Sequence, residues 1–431
     1  MRRILSVATA LGVLAASCGI VSVVEAGTAS AATSTTPIVI GGDGDVAVSP
    51  GLAQGFEAGI YRFNKAGGLS GRKIKFVGFL DDGFSPTTNE TNAQQLVQND
   101  HVLAVAPFFS EVAGGSTATF LANAKVPFIG WSTDGAFEAE PKWGFGINGN
   151  QGNPSVQGLA GMNQLLKATS NTKTPSKVKL AFIGVDVPGG SISNASLAGV
   201  AKYTGMKVVY QEATVPALGN TNYAPYAQAI ISSGANAVYE VLASPQAIGL
   251  AAALKTAQFK GTIVNGVTYY PGELASQPNE ASALNGVYVE DEFPAGENDT
   301  PAVTQEEKDL QSIGQPPYLS AGVSIGYWSA IVLESMLKAT LKAEGNDPNK
   351  VTSVTLQQTV TGPKGYSYID PIAGGIGNEY FPVAETIPTG CGTLVKTVGT
   401  NFKQITPFQC DGAVNVKYGK IVNQKTGKLE G

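Results

Sequence analysis

Apolar and polar positions along this 431-residue chain switch repeatedly between two periods. Ile38–Gly41 is a short apolar run ending in glycine. Lys73–Leu80 alternates, with Ile74, Phe76, Gly78 and Leu80 on one side and Lys73 and Lys75 on the other. Val102–Pro107 and Val126–Trp131 are almost wholly apolar. All four read as strands, the last two buried on both faces. Between them the spacing is helical. Leu52, Phe56, Ile60 and Phe63 share one face, with Ser49-Pro50 as a start signal and Gly67-Gly68 as a stop. Pro86–Asn99 turns Ala93, Leu96 and Val97 inward, and Glu111–Ala124 is a helix of small residues.

A second series repeats the alternation: strand Val178–Val185, helix Ser191–Tyr203, strand Lys207–Glu212, helix Tyr223–Ser233, strand Ala237–Leu242, helix Pro245–Phe259 and strand Thr262–Val267. The glycine- and asparagine-rich stretch Gly144–Gly158 separates the two series. A third block, Leu284–Gly345, holds a strand at Gly286–Glu292 and a long amphipathic helix at Tyr318–Ala343. The tail from Tyr366 is strand- and turn-like. Strands alternating with helices predict parallel βαβ units with right-handed crossovers, here as two doubly wound sheets in tandem.

The first 32 residues add a different signal. Arg2 and Arg3 precede an apolar run from Ile4 to Val24, and Ala29-Ser30-Ala31-Ala32 supplies the small residues a signal peptidase needs. An export signal is the expectation, with an uncleaved anchor as its alternative. Leu14-Ala15-Ala16-Ser17-Cys18-Gly19 resembles a lipobox with its leucine one place too far from the cysteine, so lipidation at Cys18 stays open. No later apolar run is long enough to span a bilayer. Removing residues 1–32 takes away two arginines and one glutamate and moves the net charge from −5 to −6. That mild acidity argues against nucleic acid, which calls for a basic stripe. Cys391 and Cys410 remain, and in an oxidising compartment they are expected to pair. With His101 far away they form no zinc spacing, and Asp43 and Asp45 lack the rest of a calcium loop, so no metal and no cofactor is expected.

Several strings resemble one family. Gly55-Phe56-Glu57-Ala58-Gly59-Ile60, Asn64-Lys65-Ala66-Gly67-Gly68, Gly71-Arg72-Lys73-Ile74 and Asp81-Asp82 are similar to the type I periplasmic binding proteins, in the leucine/isoleucine/valine-binding branch that serves ABC importers. Ala93-Gln94-Gln95-Leu96-Val97, Val105–Ser110 and Val126–Thr133 continue the likeness, which is dense over residues 38–150, looser to about 345 and weak in the tail. The resemblance implies an α/β type I periplasmic binding fold: two doubly wound, mostly parallel lobes joined by a three-segment hinge. The crossings fall near Trp143–Asn153, Gly286–Glu292 and Gly362–Glu385. Residues 33–145 and 287–362 then form the first lobe, and 146–286 and 363–431 the second. The implied partners are a small-molecule ligand and a membrane permease, and a monomer is expected.

In open α/β sheets ligands bind beyond the carboxyl ends of the strands. Ser110 lies just past one such end, and Ser132 and Thr133 just past the next, each ahead of a helix whose free N–H groups suit an anionic head. The resemblance assigns these residues to the ligand's α-carboxylate. Phe109, Trp131 and Tyr269 are candidate cleft walls. On the second lobe the aromatic, tyrosine and glutamate of the amino-acid binders are missing at Asp186–Ser191, Ala243-Ser244 and Val267-Thr268, with Asp186 or Glu240 as substitutes for the glutamate. The expected ligand is therefore a small carboxylate-bearing solute: an amino acid, an amide or an aliphatic or aromatic acid.

Two motifs are set aside. Gly322-Val323-Ser324-Ile325-Gly326 fits G-x-S-x-G but lies within a helical stretch, with the one histidine upstream. Gly144–Gly149 fits G-x-G-x-x-G without opening a helix after a first strand. A binding module is the expectation. A ligand sensor of the same fold and, more remotely, an exported hydrolase are the alternatives.

Overall fold

The computed structural model describes residues 35–132, 135–217, 221–266 and 269–430. Residues 1–32, with Cys18, and also Thr133 therefore lie outside it.

The first lobe is built on five parallel strands, β1 (Ile38–Gly44), β2 (Ile74–Asp81), β3 (Ala104–Phe109), β4 (Phe128–Gly130) and β5 (Gly144–Gly146), in the order β2-β1-β3-β4-β5. Helices α1 (Leu52–Lys65), α2 (Pro86–Gln98), α3 (Gly114–Asn123) and α4 (Ala136–Ala139) connect them. β3 and β4 are buried along their whole length, as their unbroken apolar runs require.

β6 (Val156–Gly158) and α5 (Ala160–Ala168) follow. The second lobe then strings together β7 (Lys179–Val185), α6 (Pro188–Tyr203), β8 (Lys207–Val215), α7 (Ala224–Ser232), β9 (Ala237–Val241), α8 (Ser244–Thr256), β10 (Thr262–Asn265), α9 (Pro271–Ser276), α10 (Pro278–Leu284) and β11 (Tyr288–Asp291). The chain then leaves this sheet at Glu292. It forms α11 (Pro301–Ser312), α12 (Ala321–Ala343) and α13 (Ser353–Thr361), with α11 and α12 packed on α1 and α12 also on β3 and β4.

The tail holds β12 (Tyr366–Tyr368), β13 (Glu379–Phe381), β14 (Cys391–Val398), β15 (Asn401–Cys410), β16 (Ala413–Asn415) and β17 (Lys420–Val422). β14 and β15 join the second sheet, giving β15-β14-β11-β10-β9-β7-β8; β14 runs antiparallel to β11. The Cys391–Cys410 disulfide ties the facing ends of β14 and β15. Among the described residues no helix is long and apolar enough to cross a membrane.

Two local readings change. α1 begins after Gly51, whose φ of 100° favours glycine, not at Ser49-Pro50. The G-x-S-x-G string lies inside α12, where Ser324 donates to Glu306 Oε1 at 2.9 Å. Its glycines have another purpose. A Cβ on Gly322 would run into the carbonyls of Ser49 and Pro50, and one on Gly326 into that of Leu52. On α1, a Cβ at Gly55 would strike the Val323 carbonyl and one at Gly59 the Ala330 methyl. Two glycine pairs, each spaced by four, let α1 and α12 approach closely.

Candidate functional site

The carboxyl ends of the two parallel sheets face each other, with three small cavities at this level, two of them lined from both lobes. One, of about 60 Å³, takes Glu111 and Trp131 from the first lobe. Opposite stand Ser193 and Leu197 of α6, Tyr239 and Val241 of β9, Gly266, and Glu290 with Glu292 at the end of β11; Gln151 and Gln157 close one side. A second, of about 50 Å³, shares Gln151, Gln157, Tyr239, Glu290 and Glu292 and extends to Cys391. The third, of about 20 Å³, is largely apolar: Val48 and Phe84 from the first lobe face Val185, Val187, Leu242 and Ala243 from the second, and it shares Glu111 and Val241 with the first cavity. Larger concavities exist. One of about 290 Å³ lies between the start of α1, the end of α11 and Tyr270–Glu273 at the start of α9, and one of about 560 Å³ lies between α1 and α12. Neither receives strand ends from both sheets, so the position between the facing strand ends is the better candidate.

Trp131 is the sequence candidate that lines this space. Its indole stacks on Phe109, with centroids 5.3 Å apart and planes at 19°, and meets Phe293 edge-on at 5.9 Å. Trp131 Nε1 donates to Glu292 Oε2 at 2.8 Å, as do Asn148 Nδ2 at 3.0 Å and the Gln151 amide. Burial pushes the Glu292 carboxyl up, while these three donors pull it back toward the charged form. Burial, and then the neighbouring Glu292, hold Glu290 well above the ordinary carboxylate range; its Oε2 accepts from Tyr239 at 2.9 Å.

The other candidates among the described residues fall elsewhere. Ser110 is buried and its hydroxyl donates to Asp82 Oδ2 at 2.5 Å, so the expected carboxylate anchor is turned onto an acid of the protein itself. Ser132 is fully buried; its N–H donates to Asn148 Oδ1 at 3.1 Å and its hydroxyl to Asn150 Oδ1 at 3.4 Å, which ties β4 to the segment after β5. Phe109 is fully buried beneath Trp131 and is core, not wall. Tyr269 is 1% exposed; its hydroxyl donates to Glu297 Oε2 at 2.8 Å and accepts from the Gly296 N–H at 2.7 Å, and its ring packs on Phe402. Asp186 is exposed at the end of β7 and lines none of the three cavities. Glu240 is fully buried, and burial raises its carboxyl to about 8.

Sequence reasoning missed Glu111, Gln151, Gln157, Tyr239, Glu290 and Glu292. The one available signal was the run Glu290-Asp291-Glu292 at a strand end, since three acids in a buried strand require a reason. None of the residues lining the three cavities is Lys, Arg or His. The arrangement can accept hydrogen bonds and stabilise positive charge at one end and cover an apolar group at the other.

Comparison with known proteins agrees with this architecture. A family model described as "Periplasmic binding protein" matches residues 39–383. No curated protein sequence matches. Similar solved structures include a solute-binding protein of an ABC transporter from R. palustris in complex with 4-hydroxybenzoate, 19% identical, with 87% of this chain and 97% of that one covered at a TM-score of 0.65. A branched-chain amino acid ABC transporter protein from Thermus thermophilus with bound valine is 14% identical, with coverages of 88% and 97% and a TM-score of 0.68. A fatty acid ABC transporter substrate-binding protein from Thermomonospora curvata is 16% identical, with coverages of 88% and 94% and a TM-score of 0.68. With the family model spanning most of its length and the two facing sheets in place, this chain belongs to the periplasmic binding protein family.

Proposed function

We propose that this protein is the extracytoplasmic substrate-binding component of an ABC importer. It captures a small organic solute between its lobes by hinge closure and presents the closed form to a membrane permease. The observation that carries this reading is the shared lining of the inter-lobe cavities, to which both lobes contribute side chains. A ligand that touches both lobes only when they are closed selects that form. The segments near residues 147–153, 292–300 and 362–391 serve as the hinge, and residues 1–32 as the export signal.

The lining favours a solute that combines an apolar part with a hydrogen-bond-donating end, such as an amine, amide or hydroxyl. Glu111, Glu290, Glu292, Gln151 and Gln157 offer acceptors, while Val187, Leu242 and Phe84 offer apolar cover. A bare carboxylate set against these acids, with no basic side chain in the lining, would pay a desolvation cost without a partner. Among amino acids, amides and aliphatic or aromatic acids, amides and amine-bearing solutes therefore come first.

A thermal-shift screen of mature protein against amides, amines, amino acids and aromatic and aliphatic acids tests the reading. A ligand at about 100 times its dissociation constant should stabilise the fold by about 2.7 kcal/mol. X-ray scattering should show compaction with the same solute, and Trp131→Ala should weaken binding. If no solute in the panel both stabilises and compacts the protein, the reading fails.

A further inference from the structure

Four carboxylates gather where β1 and β2 end: Asp43 and Asp45 from one strand, Asp81 and Asp82 from the other. The strands run in register there, with Gly44 beside Asp81 and the Asp82 N–H donating to the Gly44 carbonyl at 2.7 Å. Asp43 and Asp45 are fully buried, Asp82 is 1% exposed and Asp81 is exposed. Carboxylate oxygens of Asp45, Asp81 and Asp82 lie within 4.8 Å of one another. The ion pairs among the described residues are Arg62–Asp309 and Lys338–Glu334, so no basic side chain neutralises this group.

Most of the oxygens are engaged. Asp45 Oδ1 accepts from the Ala47 and Val48 N–H groups, Asp81 Oδ1 from Val46 and Gly83, Asp82 Oδ1 from Phe84, and Asp82 Oδ2 from Ser110 and Asn89. Asp45 Oδ2 is not: it is buried without a hydrogen-bond partner. Asn89 Oδ1 is buried and unpartnered too, on a side chain whose Nδ2 reaches both Asp43 and Asp82. Burying a carboxylate oxygen with neither donor nor cation costs several kcal/mol, and a cation shared with Asp81 and Asp82 would offset that cost.

We propose that Asp45, Asp81 and Asp82 form a Ca²⁺ site at the mouth of the inter-lobe cleft. The donors are all oxygen, as a hard cation requires, and two oxygens on one Ca²⁺ stand at most about 4.8 Å apart, twice a Ca–O distance of roughly 2.4 Å. Mg²⁺, at about 2.1 Å with strict octahedral demands, fits an irregular pair of loops less well. The ion would clamp the turn that carries Val48 to the turn that carries Phe84, the two first-lobe side chains on the apolar side of the cleft.

Isothermal titration of the full mature chain, first stripped with EDTA, tests this at about pH 7.5 with CaCl2, MgCl2 and ionic-strength-matched NaCl. One Ca²⁺ should bind with a dissociation constant of about 10⁻⁴ to 10⁻³ M and raise the melting temperature saturably, with a smaller response to Mg²⁺. Asp45→Asn should weaken Ca²⁺ binding about tenfold or more, and so should Asp81→Asn, an exposed position where folding is not at stake. An absence of heat and of melting shift up to about 10 mM CaCl2 overturns the proposal, as does unchanged binding in Asp81→Asn. No solute ligand enters these measurements, so their outcome is independent of the transport reading.

Discussion

Trp131 and Glu292 are joined across the lobes: the indole N–H at the end of β4 donates at 2.8 Å to the carboxylate at which the chain leaves the second sheet. The same oxygen gathers donors from Asn148 and Gln151, so one acid ties two crossings and the cavity wall together.

Glu292→Gln should therefore loosen the junction. The glutamine oxygen cannot match a carboxylate facing three donors, and its NH2 group adds a competing donor. The expected loss is roughly 1–3 kcal/mol in urea unfolding, with Trp131 emission shifted to the red as the indole becomes wetter. Unchanged stability together with unchanged emission would remove Glu292 from the junction.

Glu240 gives a pH signature. Buried without a neutralising charge, it is raised to about 8 from an ordinary value near 4.5. Below about pH 4.5 it is protonated in both the folded and the unfolded chain and costs nothing. Between 4.5 and 8 the unfolded chain releases the proton and the folded chain keeps it, so its contribution to stability falls as pH rises, then levels off above 8. Glu240→Gln should thus raise the melting temperature at pH 8 relative to wild type by an amount equivalent to roughly 1–3 kcal/mol, with little difference at pH 4.5. A gain of equal size at both pH values would contradict this account.

The glycines between α1 and α12 should not tolerate side chains. Gly55→Ala and Gly326→Ala each drive a methyl into a carbonyl of the facing helix. Each should cost roughly 1–3 kcal/mol in chemical denaturation, although alanine is the better helix former by about 1 kcal/mol. Neutral or stabilising substitutions at both positions would show that the helices can part without penalty.

The Cys391–Cys410 bridge closes a loop with a sequence separation of 19. The double Cys→Ser variant should lose about 3 kcal/mol in the chain-entropy description, read as a lower denaturation midpoint. Because Cys391 also lines a cavity, ligand affinity in the variant should be compared with that of the wild type after matching for stability.

The sequence makes the alternating βαβ order legible because apolar periodicity is a local property, and β1 to β4 and β7 to β10 fall close to the positions the pattern assigns. The antiparallel return of β14 and β15 into the second sheet is not legible, since pairing with a strand about 100 residues earlier leaves no local mark. The site was only partly readable. Trp131, singled out by its place after a strand, lines one of the inter-lobe cavities. Ser110, Ser132 and Tyr269 were drawn to the same region by position alone, but each hydroxyl has a partner inside the protein, and that depends on contacts distant in sequence. Glu290 and Glu292 were hidden by the opposite error, because acids in a strand read as solvated while β11 is central in its sheet. The G-x-S-x-G string shows how a motif can be present for packing alone.

The contact between α1 and α12 also sets a timetable. About 270 residues separate Gly55 from Val323, so while the chain emerges from the ribosome or a membrane channel the glycine-lined face of α1 that meets α12 has no cover until the last quarter of the sequence appears. The first lobe, although it is the first to be made, therefore stays unfinished until most of the chain has appeared. Its unfinished surface is the one a chaperone would have to shield, and a truncation ending ahead of Ala321 should be captured and degraded instead of accumulating as a stable half.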